Sequence, residues 1–304
     1  MSDITAFVGT GRMGGPMASN LARKANALGR RIRVYDKFPE AAAACRDAGA
    51  EVADSLEACL DGADVVFSMV PAGPDVRALY LEPGGILDRT PPGAVLADCS
   101  TIDVQTAQDV AAAAKARGFR MIDAPVSGGV GGAEAATLTF MVGGDAADLE
   151  AVRPQIEAMG AKIVHCGPSG MGEAAKICNN MLAGINAVAV AESYAIGQRL
   201  GLDPKVLYDV VSTSSGQSFI GTRSPPVKGL TETSPAERDF QPGFTISLML
   251  KDLRLAQAAA KQIDQASPVG AAAAEVFALA AGAGLAGLDS SAVYKLIAGE
   301  AKRG

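Results

Sequence analysis

The chain has 304 residues, of which 49% are hydrophobic and 20% charged, a composition typical of a soluble globular protein long enough for two domains. Its 27 basic and 33 acidic side chains give a formal net charge of −6. An acidic chain without a basic cluster argues against nucleic acids and anionic membranes as partners. No apolar run reaches the roughly 20 residues that a membrane span requires.

The five cysteines form neither a CxxC pair nor a zinc-binding pattern. Their odd number indicates reduced thiols and therefore a reducing compartment. The first predicted strand begins at Ile4 and leaves no room for a signal or transit peptide. The sequence thus predicts a cytoplasmic protein without a metal site.

The first half of the chain alternates short apolar strands with amphipathic segments such as 13–25 and 104–118. This alternation is typical of a mostly parallel sheet covered by helices on both faces. The predicted strands are 4–9, 32–36, 64–70, 94–100, 119–124, 138–143 and 162–167.

From about Gly170 the strand pattern stops, and long Ala- and Gly-rich helical patterns follow. We therefore predict a Rossmann-like dinucleotide-binding domain over 1–167 and an all-α domain for substrate binding and oligomerisation over 168–304, joined by a long interdomain helix. The predicted helices are 170–200, one that starts at Asp203–Pro204, 246–263 and 268–284, with a long loop at 231–244.

The stretch GTGRMG matches G-x-G-x-x-G and lies between the first predicted strand and a helix, which is the context this motif requires. Its glycines allow a tight turn, close approach of a pyrophosphate and close helix–strand packing. Asp36 ends the second strand, where a carboxylate accepts hydrogen bonds from ribose hydroxyls and repels a 2′-phosphate. The pattern predicts an NAD site. Its loop consists of Gly9, Thr10, Gly11, Arg12, Met13 and Gly14.

The stretch EAAKICNN places a charged face on the first turns of a helix that then becomes apolar. Glu173, Lys176 and Asn180 fall close to one face at i, i+3 and i+7. One interpretation is a solvated first turn before the helix enters the core. The other is a catalytic lysine, since hydride transfer requires a group that moves a proton and the chain has no Tyr-x-x-x-Lys pair.

Four segments in order resemble the β-hydroxyacid dehydrogenase family over nearly the whole chain. GTGRMGGPMASNL resembles its cofactor signature and DAPVSGGVGGAEAATLTFMVGG its substrate signature. GMGEAAKICNNMLAGI resembles the catalytic-lysine segment, and LMLKDLRLA a late lysine–aspartate segment. Four motifs with matching spacing are far more specific than any one of them.

The resemblance implies that Lys176 is catalytic and that Asn180 binds or orients the substrate. It implies that the turn Ser127, Gly128 and Gly129 holds the substrate carboxylate through backbone N–H groups. Further cofactor contacts implied in the same way are Val70, Pro71, Asp75, Thr101 and Lys251. Asp75 departs from the family pattern, where Asn is frequent, and the alternative for Lys251 is a surface ion pair with Asp252.

The implied activity is NAD-dependent oxidation of a short β-hydroxy acid, with 3-hydroxyisobutyrate to methylmalonate semialdehyde in valine catabolism as the favoured reaction. The alternatives are a tartronate semialdehyde or other small-aldehyde reductase and, in another class, a non-catalytic dinucleotide-binding scaffold. The Ala- and Gly-rich apolar helices of the second half, such as 268–284, would expose a large apolar surface in a monomer and so predict a homodimer or homotetramer. Ala136, Glu173 and Phe219 depart from the family pattern of Gly, Gln and Trp, which leaves the substrate's side group open.

Overall fold

The computed structural model describes residues 3–301. The chain forms two compact units, of which the first ends at Lys176 and the second begins at Ile177. This division falls inside the long helix, whereas the predicted domain boundary between residues 167 and 168 lies before it. That boundary stays a prediction.

The first unit is built on a sheet of nine strands in the described residues, ordered β3-β2-β1-β4-β5-β6-β8-β7 with β9 beside β8. The six strands from β3 to β6 are parallel, β8 is antiparallel to β6 and β7, and β9 is parallel to β8. The predicted Rossmann-like unit is confirmed. The strands are β1 Ile4–Val8, β2 Arg31–Tyr35, β3 Glu51–Val52, β4 Val65–Ser68, β5 Val95–Asp98, β6 Arg120–Asp123, β7 Val126–Ser127, β8 Leu138–Gly143 and β9 Gly160–Gly167.

Both faces of the sheet are covered, because successive side chains of a strand point to opposite faces. Phe7 packs into one hydrophobic core, whereas Ala6 and Val8 pack into another. Phe67 and Leu96 repeat this division on β4 and β5. Strands buried on both faces have near-continuous apolar sequences, which is why they could be predicted.

The helices of this unit are α1 Gly14–Arg23, α2 Ala25–Leu28, α3 Ala43–Asp47, α4 Leu56–Leu60, α5 Gly73–Leu81, α6 Ile86–Arg89, α7 Val104–Ala116, α8 Gly129–Glu134 and α9 Ala146–Met159, with a 3₁₀ turn at Pro39–Ala42. Helix α10, Met171–Arg199, begins in the first unit and ends in the second. The segments that follow β1, β4 and β5 leave the same edge of the sheet, because parallel strands end at a common edge.

The second unit is helical, as predicted. Tyr194, Leu253 and Phe277 are among the side chains of its hydrophobic core. The side chain of Asp203 accepts a hydrogen bond from Lys205 N, and Pro204 takes the first helical position. The remaining helices are α11 Pro204–Thr213, α12 Phe219–Arg223, α13 Ile246–Gln262, α14 Pro268–Ala280 and α15 Val293–Ile297, with 3₁₀ turns at Pro235–Arg238 and Ser290–Ala292.

Two helical segments in the described part of the chain, Met171–Arg199 and Pro268–Leu285, are long and apolar enough to cross a membrane. The prediction concerned uninterrupted apolar runs, and charged side chains such as Lys176 and Glu275 interrupt both segments. Core helices of soluble proteins satisfy the same criterion, so two such segments are weak grounds for a membrane span.

Candidate active site

The turn after β1 requires its glycines. Gly9 has φ 92°, and a Cβ atom there would overlap the carbonyl oxygen of Met69. A Cβ atom on Gly14 would overlap the carbonyl oxygen of Gly9. Gly11 has open space around it and is exposed. The backbone is therefore close-packed at both ends of the loop and accessible in its middle, as a pyrophosphate site needs.

Asp36 fixes this loop. Its Oδ2 accepts a hydrogen bond from Thr10 N at 2.7 Å, and its Oδ1 accepts one from Phe38 N at 2.9 Å. The sequence pattern predicts that Asp36 binds the cofactor but does not reveal its bond to Thr10. The buried Thr10 Oγ1 has no hydrogen-bond partner among residues 3–301. An unsatisfied hydroxyl beside an accessible glycine backbone fits a bound dinucleotide.

Two further loops at the same sheet edge contain predicted cofactor contacts. Val70 N donates to Ser100 Oγ at 2.9 Å, which ties the loop after β4 to the loop after β5. Pro71 and Thr101 are the next residues of these two loops. Asp75 lies in the first turn of α5 and is half-buried. The structure thus brings the first-unit candidates for cofactor binding to one edge of the sheet.

Lys176 is buried, with 6% of its surface exposed, and its Nζ donates to the carbonyl oxygen of Val126 at 2.7 Å. Val126 immediately precedes Ser127, and Gly128 and Gly129 follow with φ of 141° and 63°. The amine therefore lies beside the turn predicted to hold the substrate carboxylate. A solvated first turn is not what the helix presents at this position.

Three buried carboxyl groups surround the start of α10. Asp123 accepts hydrogen bonds from Gly170 N at 2.7 Å and Glu173 N at 3.0 Å, so it caps the helix. Asp98 accepts from the hydroxyls of Ser68 at 2.6 Å and Ser100 at 2.7 Å. Sequence analysis missed both aspartates, although each ends a buried apolar strand, and that was the available signal.

Burial raises the pKa of all three carboxyl groups. The pKa of Asp98 rises to about 6 because the group is buried, although the two serine hydroxyls oppose the shift. Burial also raises the pKa of Asp123, against the backbone N–H groups that lower it. The pKa of Glu173 lies well above its usual value, first because of burial and then because of the charge of Asp98.

In the second unit, Asn180 Nδ2 donates to Asp252 Oδ2 at 2.6 Å. Lys251 Nζ lies 3.3 Å from Asp252 Oδ1 in an ion pair. Asp252 is buried and Lys251 is half-buried, so the pair is not the surface contact considered as an alternative. The hydrogen bond between Asp252 and Asn180, residues 72 positions apart, was not predicted.

Two protein families match successive parts of the chain. Residues 4–167 match the family described as the NAD binding domain of 6-phosphogluconate dehydrogenase. Residues 170–297 match the family described as NAD-binding of NADP-dependent 3-hydroxyisobutyrate dehydrogenase.

Among individual relatives, a 3-hydroxyisobutyrate dehydrogenase of Pseudomonas aeruginosa is 46% identical over 99% of this chain and 100% of that protein. An NAD-dependent L-serine dehydrogenase of the same organism is 45% identical over 96% of each chain. The solved structure of Mycobacterium tuberculosis 3-hydroxyisobutyrate dehydrogenase with L-serine is 42% identical, has a TM-score of 0.90, and covers 98% of this chain and 99% of that one.

The fold, the glycine loop and these matches define the chain as an NAD-dependent oxidoreductase that acts on CH–OH groups. The full-length identities narrow this class further. The chain belongs to the 3-hydroxyisobutyrate dehydrogenase family.

Proposed function

We propose that the chain oxidises the hydroxymethyl group of 3-hydroxyisobutyrate to the aldehyde of methylmalonate semialdehyde, with Lys176 as general acid/base. The observation that carries this proposal is the bond of Lys176 Nζ to Val126 O, directly before the Ser127–Gly129 turn. That placement puts a proton acceptor next to backbone N–H groups suited to a carboxylate. A β-hydroxy acid has these two functional groups a short distance apart.

The Gly9–Gly14 loop and Asp36 would hold NAD, which would supply the acceptor for the hydride of the carbinol carbon. Lys176 in its neutral form accepts the hydroxyl proton as the hydride leaves, so the carbinol loses one hydride and one proton. In the reverse direction the ammonium form of Lys176 donates a proton to the developing alkoxide and stabilises its charge beforehand. Asn180, four residues later in the same helix, orients the substrate, and Lys251 contacts the cofactor.

Asp36 favours NAD over NADP in this proposal. Its carboxylate accepts from ribose hydroxyls and repels a 2′-phosphate. Its two bonds to backbone N–H groups hold it in place for that task without using all its lone pairs. Arg12, exposed in the loop, and Met13 complete the cofactor contacts of this segment.

L-Serine is the second candidate substrate, because a 45% identical relative is named for it and the M. tuberculosis structure is titled with it. L-Serine has the same hydroxymethyl and carboxylate groups and differs by an ammonium in place of the methyl group. Desolvating an ammonium beside the buried amine costs more than desolvating a methyl group, which favours 3-hydroxyisobutyrate.

We further propose a cytoplasmic homo-oligomer, a dimer or tetramer assembled through the second unit. The five cysteines, which are all free, support a reducing compartment. Large apolar side chains lie exposed on the helices of the second unit, and burial against another copy would remove them from water. They include Leu182, Ile196, Phe219, Val269 and Leu279.

The test of substrate and cofactor is steady-state kinetics by absorbance at 340 nm. We expect kcat/KM for 3-hydroxyisobutyrate with NAD to exceed that for L-serine by at least about tenfold, or about 1.4 kcal/mol in transition-state binding. Tartronate semialdehyde with NADH is the third arm. A higher kcat/KM for L-serine or for tartronate semialdehyde would reassign the substrate, and no turnover with any of the three would favour the scaffold alternative.

A further inference from the structure

Glu173 occupies the first turn of α10 and is fully buried. Its Oε2 accepts one hydrogen bond, from Ile102 N at 3.2 Å. Its Oε1 is buried and has no hydrogen-bond partner in residues 3–301. Ile102 directly follows Thr101 in the loop after β5, so this bond joins a predicted cofactor loop to the helix of Lys176.

The two neighbouring carboxyl groups are far better supplied with donors. Asp98 receives the hydroxyls of Ser68 and Ser100, and Asp123 receives the backbone N–H groups of Gly170 and Glu173. A buried carboxylate retains its charge only where donors replace its hydration. The hydrogen bonds therefore favour negative charge on the two aspartates rather than on Glu173.

The charged and titratable groups that face Glu173 also disfavour a third negative charge. Asp98 and Asp123 repel it, and Lys176 on its own helix attracts it. The buried Cys99 thiol follows β5, and the charges of Asp98 and Glu173 raise its pKa after the larger effect of burial. Burial and the repulsion from two anions together outweigh the attraction from one cation, so the neutral form of Glu173 is favoured.

We propose that Glu173 is a positioning residue that works as a neutral carboxylic acid: its uncharged head group holds the Thr101–Ile102 loop against the first turn of the Lys176 helix. The role is that of an amide-like acceptor. It adds no charge beside the amine. In this role Glu173 would not form the ion pair with Lys176 that their i, i+3 spacing suggests.

The consequence for catalysis rests on the proposed role of Lys176. A carboxylate next to the amine would stabilise the ammonium form and make Lys176 a weaker base. A neutral acid keeps the loop and the helix in register without that effect. A neutral Glu173 thus helps to position Lys176 without making it a weaker base.

The first experiment measures stability and needs no turnover, so it stands even if Lys176 is not catalytic. A group whose pKa is raised by folding contributes stability that is present below its unfolded pKa, 4.5 for Glu173, and is lost as pH rises. Glu173→Gln cannot ionise. We expect its melting temperature, relative to wild type, to rise between pH 5 and pH 8.

Asp98 titrates over part of this range in both proteins, and its contribution cancels in the difference when Glu173 carries no charge. Glu192→Gln, an exposed carboxyl on the same helix, is the matched control and should show no such trend. A difference in melting temperature that stays flat or falls between pH 5 and pH 8 would mean that Glu173 is already ionised in the folded protein over this range, and would overturn the proposal.

The second experiment measures activity. Glu173→Ala should lower kcat by roughly 10- to 100-fold through loss of alignment, and Glu173→Gln should restore it to within about threefold of wild type. The acidic limb of the pH–kcat profile in the oxidative direction should stay in place in Glu173→Gln. A downward move of that limb by about one pH unit or more would show that a negative charge had been removed from beside the base, and would contradict a neutral Glu173.

Discussion

The glycine loop after β1 and the first turn of α10 both serve the proposed reaction, yet they are specified in different ways. The loop depends on what the backbone can do locally, since a Cβ atom at Gly9 or Gly14 would overlap a carbonyl oxygen. The helix start depends on side chains from distant segments, with Asp98 and Asp123 arranged around Glu173 and Lys176. Local steric demands leave a motif in the sequence, whereas an electrostatic environment assembled by the fold does not.

The largest effect should follow from removing the amine at the helix start. Lys176→Ala should lower kcat by about 10²–10⁴-fold, the usual range for loss of general acid/base catalysis. Lys176→Arg should also be poor, because a guanidinium does not release its proton near neutral pH. Lys115→Ala, an exposed lysine on α7, is the matched control and should turn over normally. Near-normal kcat in Lys176→Ala would mean that the helix start is polar for structural reasons only.

The second prediction concerns Asp98, which is distant in sequence from the helix start that it influences. Folding raises the pKa of Asp98 from 3.8 to about 6, so wild type loses stability as pH rises through this window. Two pKa units correspond to about 3 kcal/mol. Asp98→Asn, which cannot ionise, should gain up to this amount relative to wild type between pH 4 and pH 7, measured by urea unfolding. The exposed Asp61→Asn should show no gain, and an equal trend in both variants would exclude a special environment for Asp98.

A third effect tests the loop. Asp36→Ala should lower the ratio of kcat/KM with NAD to kcat/KM with NADP by roughly tenfold or more. The substitution removes a contact to the ribose of NAD and the repulsion between Asp36 and the 2′-phosphate of NADP. Asp36→Asn removes the negative charge but retains an oxygen that can accept the hydrogen bond from Thr10 N. This variant therefore shows the effect of the charge alone. If wild type already prefers NADP, Asp36 does not set the cofactor preference.

The smallest effect concerns backbone sterics outside the loop. Ala136 has φ 55°, a left-handed conformation that favours glycine, and this explains why the family pattern has Gly there. Ala136→Gly should stabilise the protein by about 0.5 kcal/mol, since relief of strain exceeds the entropy cost of glycine. Ala112→Gly in the middle of α7 should instead destabilise it by about 1 kcal/mol. Destabilisation by Ala136→Gly would show that no strain is relieved at this position.

Much of the fold could be predicted because its strands are buried on both faces and its helices are long. The strands β3 and β7 were missed because two residues carry no periodic pattern. Helix α14 ends at Ala280, before the predicted end at 284, and a wider turn containing Gly284 at φ 83° follows. The predicted loop 231–244 contains a short 3₁₀ turn that begins with Pro235.

Part of the candidate site could also be predicted from the sequence, and part could not. Gly9–Gly14 and Asp36 could be placed from the chain alone, and the resemblance supplied Lys176 and Asn180. The bond of Asp36 to Thr10, that of Asp252 to Asn180 and the cap that Asp123 provides could not be predicted. Each joins residues between 26 and 72 positions apart, and only the folded chain brings such partners together.

The central claim is that Asp36 serves cofactor binding and Lys176 serves proton transfer. The most direct test measures NAD Kd and kcat for the two variants Lys176→Ala and Asp36→Ala. We expect Lys176→Ala to lose turnover while its NAD Kd stays within about threefold of wild type. We expect Asp36→Ala to bind NAD more weakly and to retain most of its kcat at saturating cofactor. Loss of NAD binding in Lys176→Ala that accounts for its lost turnover would contradict the separation of cofactor binding from proton transfer.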